Sequence, residues 1–308
     1  MKRRCEKMIY TVTMNPALDY VVDLPHFNIG DVNRVENEHI FFGGKGINVA
    51  CVLKELGFES TCLGFTAGFT GQELQRGLKE ELKLMSQMIQ VNQGMTRINM
   101  KIHSQQETEI NGLGPIVEKD DFEKLLQQIK NMNDEDILVL SGSVPSSLSQ
   151  NVYCDLLEVI ANRKIKTIVD ATGQLLLDTL IYHPFLIKPN NHELAELFHT
   201  EIKNIEDIEK YARKLQDMGA RNVLISMAKD GALLIDENGV KHLQGVCRGE
   251  VKNSVGAGDS MVAGFIAGYL SRLDYHETLK LATAAGGATA FSNGLATQAK
   301  IYELLKQL

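Results

Sequence analysis

The chain of 308 residues has no basic excess: 32 Lys and Arg stand against 39 Asp and Glu, a formal net charge of −7. That balance excludes the footprint of a nucleic-acid binder and offers nothing to an anionic membrane surface, so a phosphorylated small molecule has to be held by local donors. No run of ~18 consecutive apolar residues is present to span a bilayer. Met1-Lys-Arg-Arg-Cys-Glu-Lys7 is not followed by a signal-type apolar stretch, and residues 1 to 7 read as an exposed extension. The cysteines, Cys5, Cys51, Cys62, Cys154 and Cys247, form no C-x-x-C and no Cys/His cluster. A structural zinc site is thereby disfavoured, and a reducing cytoplasm is the expected location. There is no G-x-x-x-x-G-K-[ST], no complete G-x-G-x-x-G and no H-E-x-x-H, which removes the P-loop, the dinucleotide fingerprint and the zinc protease.

What is there is a soluble, enzyme-like composition, 44% hydrophobic and 23% charged, with a βαβ rhythm. Strand-length apolar runs at Met8–Thr13, Glu59–Phe65, Asp136–Leu140, Thr167–Asp170, Phe185–Lys188 and Asn222–Ser226 alternate with helical segments. The helices are expected at Gly46–Leu56, Thr70–Leu82, Lys119–Asn131, Ser149–Asn162, Asn191–Phe198 and Ile205–Met218. This predicts an α/β fold with a mostly parallel sheet and helices on both faces. A hairpin at Ala232–Asp236 and Val240–Leu243 turns at Asn238-Gly239, and helices follow at Ala257–Ser271, Tyr275–Phe291 and Lys300–Leu308. No linker divides the chain, so residues 8–308 are expected to be one domain. Two segments interrupt the rhythm as short antiparallel strands, Asp19–Leu24 with Asn33–Phe42 and Thr96–Ile102 with Glu107–Asn111. Together, at about 19–42 and 95–112, they predict a small β lid. Its strict alternation puts Arg97, Asn99 and Lys101 on one face and Ile98, Met100 and Ile102 on the other.

Four constellations carry chemistry. Asn253-Ser-Val-Gly-Ala-Gly-Asp259 leads into a helix, where Gly256, Ala257 and Gly258 would aim free N–H groups at a transferring phosphoryl group. Asp259 would accept a hydroxyl proton there, or would merely complement the helix dipole. Phe42-Gly-Gly-Lys-Gly-Ile-Asn-Val-Ala50 is a glycine turn offering Lys45 and Asn48 as donors. Ile187-Lys-Pro-Asn-Asn-His-Glu193 places Asn190 and Glu193 three apart at a helix start, either facing a hydrated Mg²⁺ or forming a capping box. Polar strand ends, Asn15 and Asp19, Ser141-Gly-Ser143, and Ser226 with Lys229-Asp230-Gly231, fall where ligands gather in open α/β sheets.

With these residues laid out, the chain resembles the PfkB family of sugar kinases, of ribokinase-like fold. The resemblance runs from about Met8 to the C-terminus and rests on Gly43-Gly-Lys-Gly-Ile-Asn48 and Gly256-Ala-Gly-Asp259. Thr11-Val-Thr-Met-Asn-Pro-Ala-Leu-Asp19, Thr96-Arg-Ile-Asn-Met-Lys101 and Glu107-Thr-Glu-Ile-Asn111 are most similar to the branch acting on fructose 1-phosphate, with the tagatose 6-phosphate branch close by. The resemblance implies a three-layer sandwich with a roughly eight-stranded sheet and a β lid, ATP and Mg²⁺ as co-substrates, and Asp259 as base. It implies that Asp19, Gly43, Gly44, Lys45, Asn48, Arg97 and Ser143 meet the sugar phosphate. Lys188, Asn190, Glu193, Ser226, Gly231, Gly256, Gly258 and Asn293 match nucleotide and metal positions, Asn190 and Glu193 being the metal pair. The family usually has Asp-Thr where this chain has Asn253-Ser254, which leaves residue 253 without a carboxylate to organise metal. Arg97 beside Lys101 suits a dianionic phosphate, which favours a ketohexose monophosphate over ribose or adenosine. A sugar-phosphate sensor without turnover is the alternative. If the polar lid face closes over substrate, the apolar face needs a cover, and a second copy of the lid is the economical one, giving a homodimer.

Overall fold

The computed structural model describes residues 7–308. Most of the expected N-terminal extension, residues 1–6, lies outside them; Lys7 is exposed and pairs with Glu135 at 3.0 Å. The main sheet has ten strands rather than about eight. From one edge to the other its path is Lys241–Gln244, Ala232–Ile235, Asn222–Ser226, Leu186–Ile187, Lys166–Asp170, Ile137–Ser141, Ile9–Thr13, Thr61–Ala67 and Met85–Ser86, with Ile89–Val91 also on Thr61–Ala67. All pairings are parallel except those of the terminal hairpin. The two extra strands, Met85–Ser86 and Ile89–Val91, are too short to register as periodic runs.

Alternation along the central strands builds two cores. Leu138 and Leu140 pack with Val12, Leu63, Leu125, Ile129, Leu156 and Val223 on one face. Ile137 and Val139 pack with Ile9, Val52, Ile168, Phe265, Ile266 and Ala285 on the other. Strands buried on both sides need no polar alternation, which is why they read as continuous apolar runs. Helices cover both faces and make three layers. Those of the second face include Lys45–Glu55, Ala257–Leu270 and Tyr275–Ala290, whose small residues let Gly264 approach the Ala282 backbone.

Two helices differ from expectation. Gly68–Arg76 is α-helical but continues as a π-helical turn, Gly77–Glu81, where the Phe42 ring packs against Gly77. The helix expected over 149–162 is α-helical only at Val152–Glu158, because the N–H groups of Ile160, Ala161 and Arg163 bond three residues back and tighten the chain.

The two predicted lid pairs are antiparallel, Ala17–Asp23 with Asn37–Gly43 and Arg97–His103 with Thr108–Asn111. A parallel pairing of Ala17–Asp23 with Arg97–His103 joins them into one four-stranded sheet. One face carries Asp19, Asn99 and Phe41 in one row and Val21, Lys101 and His39 in the next; the other carries Tyr20, Met100, Ile40 and Ile110. Ile98, Met100, Ile40 and Ile110 are exposed. Ile102 is not, because Tyr20, Val22 and Leu24 cover it within the lid. Val21 lies on the polar face, and Phe42 is committed to the body beside Leu18, Leu74 and Leu78.

Candidate active site

Chain order leaves the sheet in opposite directions from Ile9–Thr13, toward Thr61–Ala67 on one side and toward Ile137–Ser141 on the other. A crevice opens at such a point, beyond the carboxyl ends of the strands. The ends gathered there are Thr13, Ser141, Asp170, Lys188 and Ser226. Asp170 lies in register with Ser141, and Asn190 bridges to Ser226.

The helix Ala257–Leu270 starts from Gly256, whose φ of 80° an L side chain rarely adopts. The N–H of Ala257 turns back to Ser254 O (3.2 Å), and the first helical bond runs from Ser260 N to Gly256 O (2.9 Å). Between them the N–H groups of Gly258 and Asp259 are left for a ligand. Asp259 is buried, and its Oδ2 accepts from Asn48 Nδ2 at 2.8 Å. Burial, then the charge of Asp170, raises its pKa to about 6, against the Asn48 hydrogen bond and Lys45 and Lys188.

Asp170 was not singled out in the sequence, where it is simply the end of a buried strand. It is the charge centre of the crevice. Its Oδ2 lies 3.3 Å from Lys45 Nζ and its Oδ1 3.4 Å from Lys188 Nζ. Burial would push this carboxyl up, but Lys188 and Lys45 outweigh it and hold it below the ordinary carboxylate range. For Lys45, burial pulls down while Asp170, Asp259 and Glu193 raise the ammonium above its usual value, so it stays charged. Lys188 also reaches Gly258, where a Cβ would fall 2.9 Å from Nζ. One wall therefore holds two cations, one paired anion and one raised carboxyl.

Asn190 and Glu193 form the capping box of the helix Asn191–Leu197. Asn190 Oδ1 accepts from His192 N (2.9 Å) and Glu193 N (2.8 Å), and Glu193 Oε2 accepts from Asn190 N (2.8 Å). Glu193 Oε1 remains, and its charge reaches Lys45. Among the described residues no three His, Cys, Asp or Glu side chains converge as a metal cage. The donor set suits a cation that keeps its waters and borrows phosphate oxygens, with Glu193 rather than Asn190 to face it. Asn253 serves the loop, its Oδ1 accepting from Val255 N at 2.9 Å.

Across the crevice stands the polar lid face. Arg97 is half-buried, donates Nε to Asn15 O at 3.1 Å, and is held below the usual arginine range by burial, against the charge of Asp19. Asn99 Nδ2 donates to Asp19 Oδ1 at 2.9 Å. Asp19 leans onto Gly43, where a Cβ would fall 2.3 Å from its Oδ2, so the lid meets the turn Gly43-Gly44-Lys45 directly. Gly142 abuts Lys45. Ser143 and Asn293 are exposed at the rim, without hydrogen bonds to the cluster. Gly231 has φ 91° beside Ser226, packed under Gln244. Asn15 and Asn99 lend no titrating group; the sequence shows Asn15 as a polar strand end and Asn99 as a polar residue on the Arg97 face.

A family model described as pfkB family carbohydrate kinase matches residues 12–301. The chain is 43% identical to a 1-phosphofructokinase of Bacillus subtilis, over 98% of each chain. It is 38% identical to a D-tagatose-1-phosphate kinase of Bacillus licheniformis, also over 98% of each. Among solved structures it is similar to phosphofructokinase-2 of Escherichia coli in complex with substrates and products, with a TM-score of 0.92, 27% identity, and coverage of 98% of this chain and 99% of that one.

Proposed function

The chain belongs to the pfkB family of carbohydrate kinases, with a ribokinase-like fold, and from that premise we propose that it transfers the γ-phosphoryl group of ATP to the free terminal hydroxyl of fructose 1-phosphate, yielding fructose 1,6-bisphosphate. The observation that carries this reading is Asp259, a buried carboxyl raised to about 6 at the start of a helix, facing two lysines. A carboxylate there takes the hydroxyl proton as the oxygen attacks. The N–H groups of Gly258 and Asp259, with Lys45 and Lys188, offset charge on the equatorial oxygens of the phosphoryl group in flight. Arg97 anchors the phosphate already on the sugar, and Asp19 accepts from the sugar hydroxyls between. Ser226, Gly231 and Asn293 lie on the side left for the nucleotide. Glu193 would hold a hydrated Mg²⁺, which supplies charge neutralisation across the phosphates.

D-Tagatose 1-phosphate is the second reading, favoured by the D-tagatose-1-phosphate kinase relative. The names of both relatives put the first phosphate on carbon 1, which supports that end over a 6-phosphate. A sensor without turnover is disfavoured, because the acid and both glycines at 256–259 are in place. Residues 8–308 act as one kinase domain in this reading. The four described cysteines are free thiols, in keeping with a cytoplasmic enzyme. Exposed Ile40, Ile98, Met100 and Ile110 on the outer lid face support a homodimer built lid against lid.

The test is ADP release measured over fructose 1-phosphate, fructose 6-phosphate, D-tagatose 1-phosphate, D-tagatose 6-phosphate and ribose. Highest kcat/KM for fructose 1-phosphate is expected. Binding without ADP release from any of them would return the sensor reading.

A further inference from the structure

Asp19 and Arg97 are diagonal neighbours on one face of the lid, since Asp19 pairs with Asn99 and Arg97 pairs with Ala17, two residues before Asp19. Opposite charges so placed ordinarily close on each other. Here Asp19 acts on Arg97 through its charge without a hydrogen bond between them. Three contacts keep them apart: Arg97 Nε is turned to Asn15 O, Asp19 Oδ2 rests over Gly43, and Asp19 Oδ1 is taken by Asn99 Nδ2. Of the three, only the last is made by a side chain free to differ.

The orientation of that amide is unambiguous, because a carboxylate cannot accept from Asn99 Oδ1. The oxygen is therefore turned away, and it is buried without a donor in a residue only 7% exposed. An orphaned amide oxygen costs the fold. Serving the lid alone, an apolar side chain would fill this place without that cost. We infer that Asn99 is a positioning residue that holds Asp19 away from Arg97, leaving the carboxylate open to sugar hydroxyls and the guanidinium open to the sugar's phosphate.

The inference rests on the substrate reading above, and two measurements separate their failures. In a ligand-free crystal structure of Asn99→Leu, the Asp19 carboxylate is expected within 4 Å of the guanidinium; an unmoved Asp19 would overturn the inference whatever the substrate proves to be. Calorimetry with fructose 1-phosphate should then show Asn99→Leu weakened by roughly tenfold or more, with affinity for a non-hydrolysable ATP analogue unchanged. Adding Asp19→Asn to Asn99→Leu should recover several-fold of the loss, because it releases Arg97. Additive or worse loss in the double variant would show Asn99 to be structural. Asn99→Ser, which opens the same path to Asp19 with less crowding, carries both measurements should the leucine variant fail to fold.

Discussion

In the proposed mechanism Asp259 is a base and a buried residue at once, and the two demands oppose each other. Burial and Asp170 raise its pKa to about 6, so kcat should fall as pH drops through that value and the carboxylate takes up a proton. The same shift makes ionisation costly to the fold: stability is fully present below the unfolded value near 3.8 and is lost as pH rises through about 6. Asp259→Asn is therefore expected to lose roughly 10²- to 10⁴-fold in kcat with KM little changed, while melting at a higher temperature at pH 8. Steady-state kinetics beside thermal melts checks both halves, and a variant with near-normal kcat would remove Asp259 from the mechanism. Arg97→Met should raise KM for the sugar phosphate by the loss of a charge-assisted contact, about 1.5 to 3 kcal/mol, and leave KM for ATP in place. At this scale the sequence displayed Asp259, Asn48, Lys45 and Arg97 through their glycine-rich or alternating surroundings. It did not display Asp170, because a carboxylate ending an apolar strand has no local signature; its meaning comes from two lysines 125 and 18 residues away.

Elements show the same division. The alternating strand at Arg97–His103 and the continuous runs of the core were legible because each period follows directly from which faces are buried. The parallel pairing of Ala17–Asp23 with Arg97–His103 was not, since nothing in either segment encodes its partner across the intervening chain. The helix Asn191–Leu197 was legible in two ways; the geometry shows the capping box, which uses one Glu193 oxygen and leaves the other. Glu193→Gln keeps the capping acceptor and removes the charge. We expect the Mg²⁺ concentration for half-maximal rate to rise several-fold with little change in melting temperature. A large loss of stability with an unchanged Mg²⁺ response would assign Glu193 to the cap alone. The outer lid face gives a further expectation: Met100→Lys should shift a sedimenting dimer toward monomer and raise KM for the sugar phosphate. An unmodified protein sedimenting as a fully active monomer would sink it.

On the scale of the whole molecule the site is a meeting of two halves of the chain. In the proposed function residues up to Arg97 supply most of the acceptor side, and residues from Lys188 onward supply the nucleotide side. The bond between Asn48 and Asp259 joins positions 211 apart, and Asp170 stands between the halves with one lysine from each. Contacts of such separation pay the loop-closure entropy of most of the chain before they form. On dilution from denaturant, helical circular dichroism should therefore return ahead of kinase activity, with a lag that Asn48→Ala lengthens. Recovery of both signals in one phase would refute that order. A nascent chain halted short of Gly256 would lack Asp259 and the N–H groups of the proposed phosphoryl cradle, together with the two helices that close the second core, so that on the proposed mechanism phosphoryl transfer waits for the stretch Ala257–Ala290.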